Sequence, residues 1–571
     1  MLDRTVSRRS FIQIAAVGAA LPLLAACGTV APPQPSAPAG AGAPAAAKPG
    51  SAYPTFASAT GGPKPDFPAT GPLYQDGFIN YPKSPVKALP ATPAAGLGSK
   101  VVAYTNNSAP APPTPFEQNK AWQTVNKELN ADVQFTIISQ ADYPVKLATV
   151  MAGDDLPDVM LILGPGPSGA SRLQGLTQFL TLKCADLTPY LGGDAAKDYP
   201  YLAAIPTFAW KNSGCVRDGK LLMLPIERYY PGSMLLKNSA VYDAAVGKDY
   251  TPKNADDFKR ALQALNKPSQ NQWAIGSYID QMYYIYYFVA MFGAPNNWGL
   301  DSSGKLVKDI ETPQYREAMN YVRDLVVAGL YHPDALTIAD STRARDNLIG
   351  SKFVLDVETF GNAWQDGWTR GPKLNPPVTP QAVLPFAAHD GGKPQHFFGR
   401  GFFGMTAFKK STPERTKELL RISNYLAAPF GSAEDLLLTI GVKDIDYSVE
   451  TDGGITVLPA SNTDANSVPW KYIVQRPQVA YWPGIPDYAK AATDFEKAVI
   501  PIGVADPTLG FTSKALDAKG VPLSRALTDN ITDLLAGRRP MSDWDQVVKD
   551  WQSNGGNEIR TELQQAIAAG A

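Results

Sequence analysis

The chain has 571 residues, with 52 Lys plus Arg against 53 Asp plus Glu and a formal net charge of -1. That balance offers no basic field for a phosphate backbone and argues against a dedicated nucleic-acid binder. Three Cys and three His in the whole chain fall short of the clustered ligand sets of zinc modules. The 51 Pro, nearly twice the ~5% of ordinary usage, concentrate between residues 31 and 115.

Residues 1–27, MLDRTVSRRSFIQIAAVGAALPLLAAC, have signal-peptide anatomy. Arg4, Arg8 and Arg9 precede an uncharged apolar run from Phe11 to Ala26, too short for a comfortable membrane span. Ser7-Arg8-Arg9-Ser10-Phe11-Ile12 resembles a twin-arginine (Tat) export signal, and Leu24-Ala25-Ala26-Cys27 resembles a bacterial lipobox. The resemblance implies removal of residues 1–26 and acylation of Cys27, a lipid anchor on the extracellular face of the plasma membrane. Stable anchoring needs two or more acyl chains, each buried CH₂ adding ~0.8 kcal/mol.

From Gly28 to Gln75 only Lys48, Lys64 and Asp66 are charged, and the rest is mostly Ala, Pro, Gly, Ser and Thr. Such a stretch buries too little apolar area to offset its chain entropy. Residues 27–98 are therefore expected to form a largely disordered tether. Phe56, Phe67, Tyr74 and Phe78 suggest that its later part lies against the domain.

Beyond residue 99 strands and helices alternate. Lys100–Tyr104, Asp132–Ile138 and Asp158–Leu163 read as strands. Between them, Thr114-Pro115-Phe116-Glu117 reads as an N-cap, a Pro at the first helical position and a Glu two residues on, opening a helix. A second helix covers Tyr143–Met151. The β-α-β-α-β order predicts a mostly parallel sheet flanked by helices. Later helices open at Asn254 and at Thr312-Pro313, and Phe353–Val357 and Phe402–Phe408 read as strands. The C-terminus is helical over 523–535, from Ser542, and beyond the Gly555-Gly556 break. About 470 residues exceed one hydrophobic core, so two lobes with a ligand crevice between them are expected.

Gly164-Pro165-Gly166-Pro167-Ser168-Gly169 matches GxGxxG formally. It makes a poor phosphate cradle, because Pro165 and Pro167 have no N–H, and reads as a rigid rim loop. Asp356 and Glu358 lie two apart on a strand and so share a face. They could serve a glycosidase, accept hydrogen bonds from sugar hydroxyls, or simply end a strand. His389 and His396 have no acidic or Cys partner at metal spacing, and no metal or cofactor is expected. Cys184 and Cys215 form a candidate disulfide in an extracytoplasmic protein, with two buried thiols as the alternative. Aromatics cluster at Tyr229-Tyr230, at 273–292, at Trp364 and Trp368, and at Tyr481-Trp482. An aromatic face with a polar edge suits a sugar, and Trp298 and Trp482 lie beside Gly or Pro in expected loops.

Five stretches in order resemble the extracellular solute-binding lipoproteins of ABC importers, of the carbohydrate-binding type related to maltose-binding protein. These are Gly153–Val159, Asp218–Pro225, Thr312–Asp334, the helix opening at Ser411-Thr412-Pro413-Glu414, and Ala536–Gly556. The resemblance implies an α/β, two-lobed periplasmic-binding-protein-like fold of type II, with an interlobe hinge and a ligand cleft. Lobe one would take 99–225 and 398–446, and lobe two 226–397 and 447–571. Ligand contacts are expected at Asn106 and Asn107 after the first strand, and at Glu227 and Tyr229 in the first crossover. Others are expected at Tyr278, Asp280 and Tyr283, at Trp298, Asp356, Glu358, Trp364 and Arg400, and at Tyr481 and Trp482.

The function so implied is a membrane-tethered receptor, monomeric and not an enzyme. It captures a small-molecule ligand, an oligosaccharide by this resemblance, and delivers it to an ABC permease. A surface carbohydrate-active enzyme and a ligand-presenting sensor subunit are the alternatives.

Overall fold

A computed structural model describes residues 52–59, 62–89, 94–106, 112–139, 142–164, 173–248, 250–279, 281–359, 365–374, 377–451 and 453–569. The leader, Cys27, Asn107, Pro165 to Ser168, Asp280 and Trp364 lie outside these residues. Residues 47–571 form one unit.

Nine strands build the two principal sheets: β1 (Lys100–Asn106), β2 (Asp132–Ile138), β3 (Val159–Leu163), β4 (Leu224–Glu227), β5 (Ser233–Asn238), β6 (Trp273–Ile275), β7 (Phe353–Thr359), β8 (Pro380–Val383) and β9 (Phe402–Phe408). The first sheet has the order β2-β1-β3-β9-β4 and the second the order β8-β5-β7-β6. β1 runs parallel to β2 and β3, while β9 returns antiparallel between β3 and β4. In the second sheet β7 is antiparallel to β5 and parallel to β6. All five residues of β3, Val-Met-Leu-Ile-Leu, are buried, the signature of a strand covered on both faces.

Helices begin close to where their caps fall. Asn254 accepts from Asp257 N at 2.8 Å and Thr312 from Tyr315 N at 3.3 Å. The first helix differs from expectation. Thr114 bonds Asp464 instead of capping. A 3₁₀ turn at Phe116–Gln118 follows, and Asn119 caps the α-helix Lys120–Leu129 by accepting from Trp122 N at 2.8 Å.

Each sheet carries its own core. The core of lobe one joins Val101, Val125, Met160, Ile162 and Leu224 to Leu420, and it extends to Trp470 and Val474. The Trp470 ring sits 4.9 Å from Phe135. The lobe-one core thus reaches past the expected boundary at 446, because Trp470, Tyr472 and Ile473 supply apolar cover that the open face of the first sheet needs. Lobe two resumes with the helix Asp487–Val499, whose Tyr488 and Phe495 pack with Phe353 and Leu236.

Residues 52–98 are only in part what their composition suggests. Thr55 N donates to Gly193 O at 3.0 Å, Phe78 N to Ala480 O at 3.0 Å, and Gln75 N to Glu496 Oε2 at 3.1 Å. Phe78 and Tyr81 are buried against Phe430. The prolines keep this strap extended, and its few aromatics bury enough area to hold it on both lobes.

Candidate functional site

Three segments join the lobes: 228–232, 398–401 and 475–479. They are stitched side by side. Arg228 N donates to Gly401 O at 3.0 Å and Gly399 N to Tyr230 O at 2.8 Å. Gln478 N donates to Glu227 Oε2 at 2.9 Å, Gln475 Nε2 to Glu227 O at 2.9 Å, and Tyr229 N to Gln478 Oε1 at 3.1 Å. Gly232 has φ 83°, and a Cβ there would stand 2.7 Å from Gly399 N, so the close approach of two crossovers requires glycine. Burial pushes the Glu227 carboxyl up to about 7, against the bond from Gln478 N that lowers it.

The carboxyl ends of the strands lead to this floor, where ligands of open α/β sheets bind. In lobe one, β1 ends at Asn106, which is 0% exposed, with neither Nδ2 nor Oδ1 hydrogen-bonded among the described residues. β3 ends beside Arg400, whose guanidinium lies 5.4 Å from the Phe402 ring centre and whose pKa is lowered to about 10 by burial. A Cβ on Gly164 would fall 2.9 Å from Arg400 Nη1.

In lobe two, Glu358 and Thr359 at the end of β7 pair with Met234 and Ser233 at the start of β5. Asp356 and Glu358 share a face, as alternation requires. Asp356 accepts from the Tyr284 hydroxyl at Oδ1, while its Oδ2 and the nearby Ser277 Oγ, both buried, have no hydrogen-bond partner among the described residues. Burial drives the Asp356 carboxyl up to about 7, with the Tyr284 bond opposing. Tyr278 meets Tyr284 edge-on at 6.0 Å, and Tyr284 meets Tyr286 at 6.2 Å. Met282, Tyr283 and Tyr284 have φ of 46°, 55° and 57°. A left-handed run of three non-glycine residues is sterically costly, and it turns Tyr284 toward Asp356. A cavity of about 250 Å³ beside this wall is lined by Ser233, Tyr286, Val357, His396 and Phe398.

Of the residues expected to meet ligand, Glu227, Tyr229 and Arg400 lie in or next to the crossovers, Tyr278, Asp356 and Glu358 stand together in lobe two, and Asn106 ends β1 in lobe one. Trp482 stands further out, half-buried, its Nε1 donating to Thr369 Oγ1 at 3.0 Å. Two others are core. Trp298 is 5% exposed, 5.8 Å from Trp551, with Lys308 and Arg560 over its ring. Tyr283 packs edge-on against Tyr331 at 5.0 Å. Tyr481 is taken up by Tyr81 and Phe430 of the strap contact. Ser277, Tyr284 and Tyr286 were not singled out from sequence; two of them stand in a run of four tyrosines and an isoleucine where nothing marks which rings face the core.

The expected disulfide is not formed. Cys184 and Cys215 are free and buried, and burial pushes each thiol up to about 12. Cys184 bridges Lys409 by its backbone, while Cys215 Sγ lies 3.0 Å from Ser213 Oγ. His396 is held neutral, lowered to about 4 by burial, and contacts the Pro231 carbonyl. Among the described residues no group of three or more His, Cys, Asp or Glu is placed to hold a metal ion, and no helix is long and apolar enough to cross a membrane.

No protein-family model matches the chain. It is 23% identical over 477 residues to Lipoprotein LipO of Bacillus subtilis, covering 79% of this chain and 89% of that protein. It is 22% identical over 468 residues to the polygalacturonan/rhamnogalacturonan-binding protein YtcQ of the same organism, covering 79% and 88%. Among solved structures it resembles the alginate-binding protein AlgQ2, with a TM-score of 0.60 and 14% identity over 84% of this chain and 99% of that one. The fold is thus the two-lobed type II fold of solute-binding proteins.

Proposed function

We propose that this chain, with the fold of a solute-binding protein, is the extracellular receptor of an ABC importer and that its ligand is a carbohydrate. The supporting observation is the set of buried polar side-chain atoms that have no hydrogen-bond partner among the described residues and lie near the carboxyl ends of strands in both sheets: Asn106 in lobe one, Ser277 and Asp356 in lobe two. Such atoms each cost about 1–3 kcal/mol in the free protein, and a ligand dense in hydroxyls satisfies both donors and acceptors at once. Tyr278 and Tyr286 offer ring surface for the apolar faces of a sugar. One of the two named relatives and the named structural neighbour are binding proteins, both named for polysaccharides.

Binding proceeds by closure of the lobes about the three crossovers, without covalent chemistry. The chain works as a monomer, exported through its twin-arginine leader and held outside the cell by the lipid on Cys27, which fits the lipoprotein name of one relative. The closed form is what the permease reads. Calorimetric titration of the mature protein against a saccharide library tests this reading. Micromolar or tighter binding of an oligosaccharide, weakened at least tenfold by Asp356→Ala, supports it. Binding of peptides or polyamines with no response to any saccharide overturns it.

A further inference from the structure

Where the first and third crossovers leave lobe one stand two cations with no ion pair among the described residues. Arg228, half-buried in the first crossover, places its guanidinium 5.0 Å from the centre of the Phe403 ring, and Nη1 donates to the Glu227 carbonyl at 3.0 Å. Lys471 Nζ lies 5.7 Å from the Tyr472 ring centre and 3.3 Å from Asn466 Oδ1. The Phe403 and Tyr472 rings are themselves 5.2 Å apart, so the cations flank one aromatic pair. Neither makes an ion pair among the described residues. Their neighbours in the same lobe do: Arg415 with Asp158 and Glu418, Lys409 with Asp158, and Arg476 with Asp435. Glu227 precedes Arg228 in the chain, but its carboxylate is turned to Gln478 N and half-neutralised by burial near neutral pH. Burial, then the Arg228 charge, lowers the Lys471 ammonium.

Two partly desolvated cations without a counter-charge are costly, and a neutral ligand closing over them would deepen that cost. A carboxylate accepts two parallel hydrogen bonds from a guanidinium, while the adjoining rings accept the apolar face of the sugar that bears it. We infer that the carbohydrate is acidic, a uronic-acid-containing oligosaccharide whose carboxylate is received by Arg228 and Lys471. The inference rests on the carbohydrate-receptor reading above and names its substrate class.

The test titrates the mature protein with short oligogalacturonates and oligomannuronates, with the same oligomers after reduction of their carboxyls to alcohols, and with neutral oligosaccharides. The expected result is binding of a uronate at least tenfold tighter than its reduced form, falling as salt rises. Arg228→Gln and Lys471→Gln should each narrow that gap severalfold, with thermal unfolding confirming that both variants fold. Equal or tighter binding of reduced or neutral oligosaccharides overturns the acidic assignment and leaves the receptor reading standing, whereas a uronate preference untouched by both variants overturns the reception of the carboxylate by Arg228 and Lys471. Silence toward every saccharide overturns the receptor reading and the assignment with it.

Discussion

The Tyr81 hydroxyl donates to Asp435 Oδ2 at 2.8 Å, and the same carboxylate receives Arg476 Nε at 2.6 Å. A residue of the proline-rich strap thereby shares one buried acid with the start of the third crossover. The strap is part of the folded body at this point. Tyr81→Phe removes one hydrogen bond to a charged acceptor while leaving the ring packed on Phe430. It should cost about 1–3 kcal/mol in urea unfolding, and a variant as stable as the parent would show that the contact carries no energy.

Glu496 predicts the pH dependence. Its carboxyl is buried and raised to about 8, burial outweighing the bond from Gln75 N. The native state keeps a proton that the unfolded chain releases, so this contribution is full below the unfolded value, declines as pH rises, and is lost through about 8. Glu227 and Asp356, at about 7, act in the same direction. His396, lowered to about 4, opposes them only below its ordinary value. Between about pH 6.5 and 8 the parent should therefore lose stability, and Glu496→Gln should flatten the slope by up to about 1.4 kcal/mol per pH unit. Parallel slopes would refute the assignment.

Trp298 separates core from site. Trp298→Ala removes a buried ring from between Trp551, Lys308 and Arg560. The loss should be about 3–5 kcal/mol by chemical denaturation. Saccharide affinity, measured where the variant remains folded, should stay within about twofold of the parent.

The two thiols should behave as separate core residues. Because Cys184 and Cys215 are free and buried, dithiothreitol should leave the melting temperature unchanged. A thiol reagent should label both residues only after unfolding. A reductant-sensitive melting temperature would contradict the free thiols.

Local pattern carried much of the architecture. The run Val159 to Leu163 and the Asn254 and Thr312 caps fix elements through short-range chemistry, and the structure has them where the residues place them. Long-range partners were not legible. Thr114 looks like a cap until Asp464, 350 residues away, competes for it. Trp298 beside glycine looks like a loop ring, but Trp551 and two cations close over it. Cys184 and Cys215 satisfy the composition rule for a disulfide, and only their separate places in lobe one decide otherwise. Asn106 was expected from the family resemblance alone and Asp356 from its pairing with Glu358 two apart on a strand, whereas Tyr284 depends on a left-handed turn that no residue type in Gln-Met-Tyr-Tyr announces. Arg228 and Lys471 are 243 positions apart and become a pair only where the first and third crossovers meet lobe one.

Asn106 offers the sharpest separation of stability from function. Its side-chain amide is wholly buried with both polar atoms unsatisfied among the described residues, while its backbone oxygen accepts from Thr105 Oγ1 at 3.1 Å. A side chain that served the fold would have found partners there, since an orphaned buried group costs about 1–3 kcal/mol. Asn106→Leu replaces it with an apolar group of similar size and keeps the backbone bond. The free protein should be as stable as the parent or about 1 kcal/mol more so. Saccharide affinity should fall at least tenfold, because the bound hydroxyls lose both a donor and an acceptor. Calorimetry and urea unfolding on the same preparation decide it: a destabilised variant with unchanged affinity would make Asn106 a structural residue and remove it from the cleft.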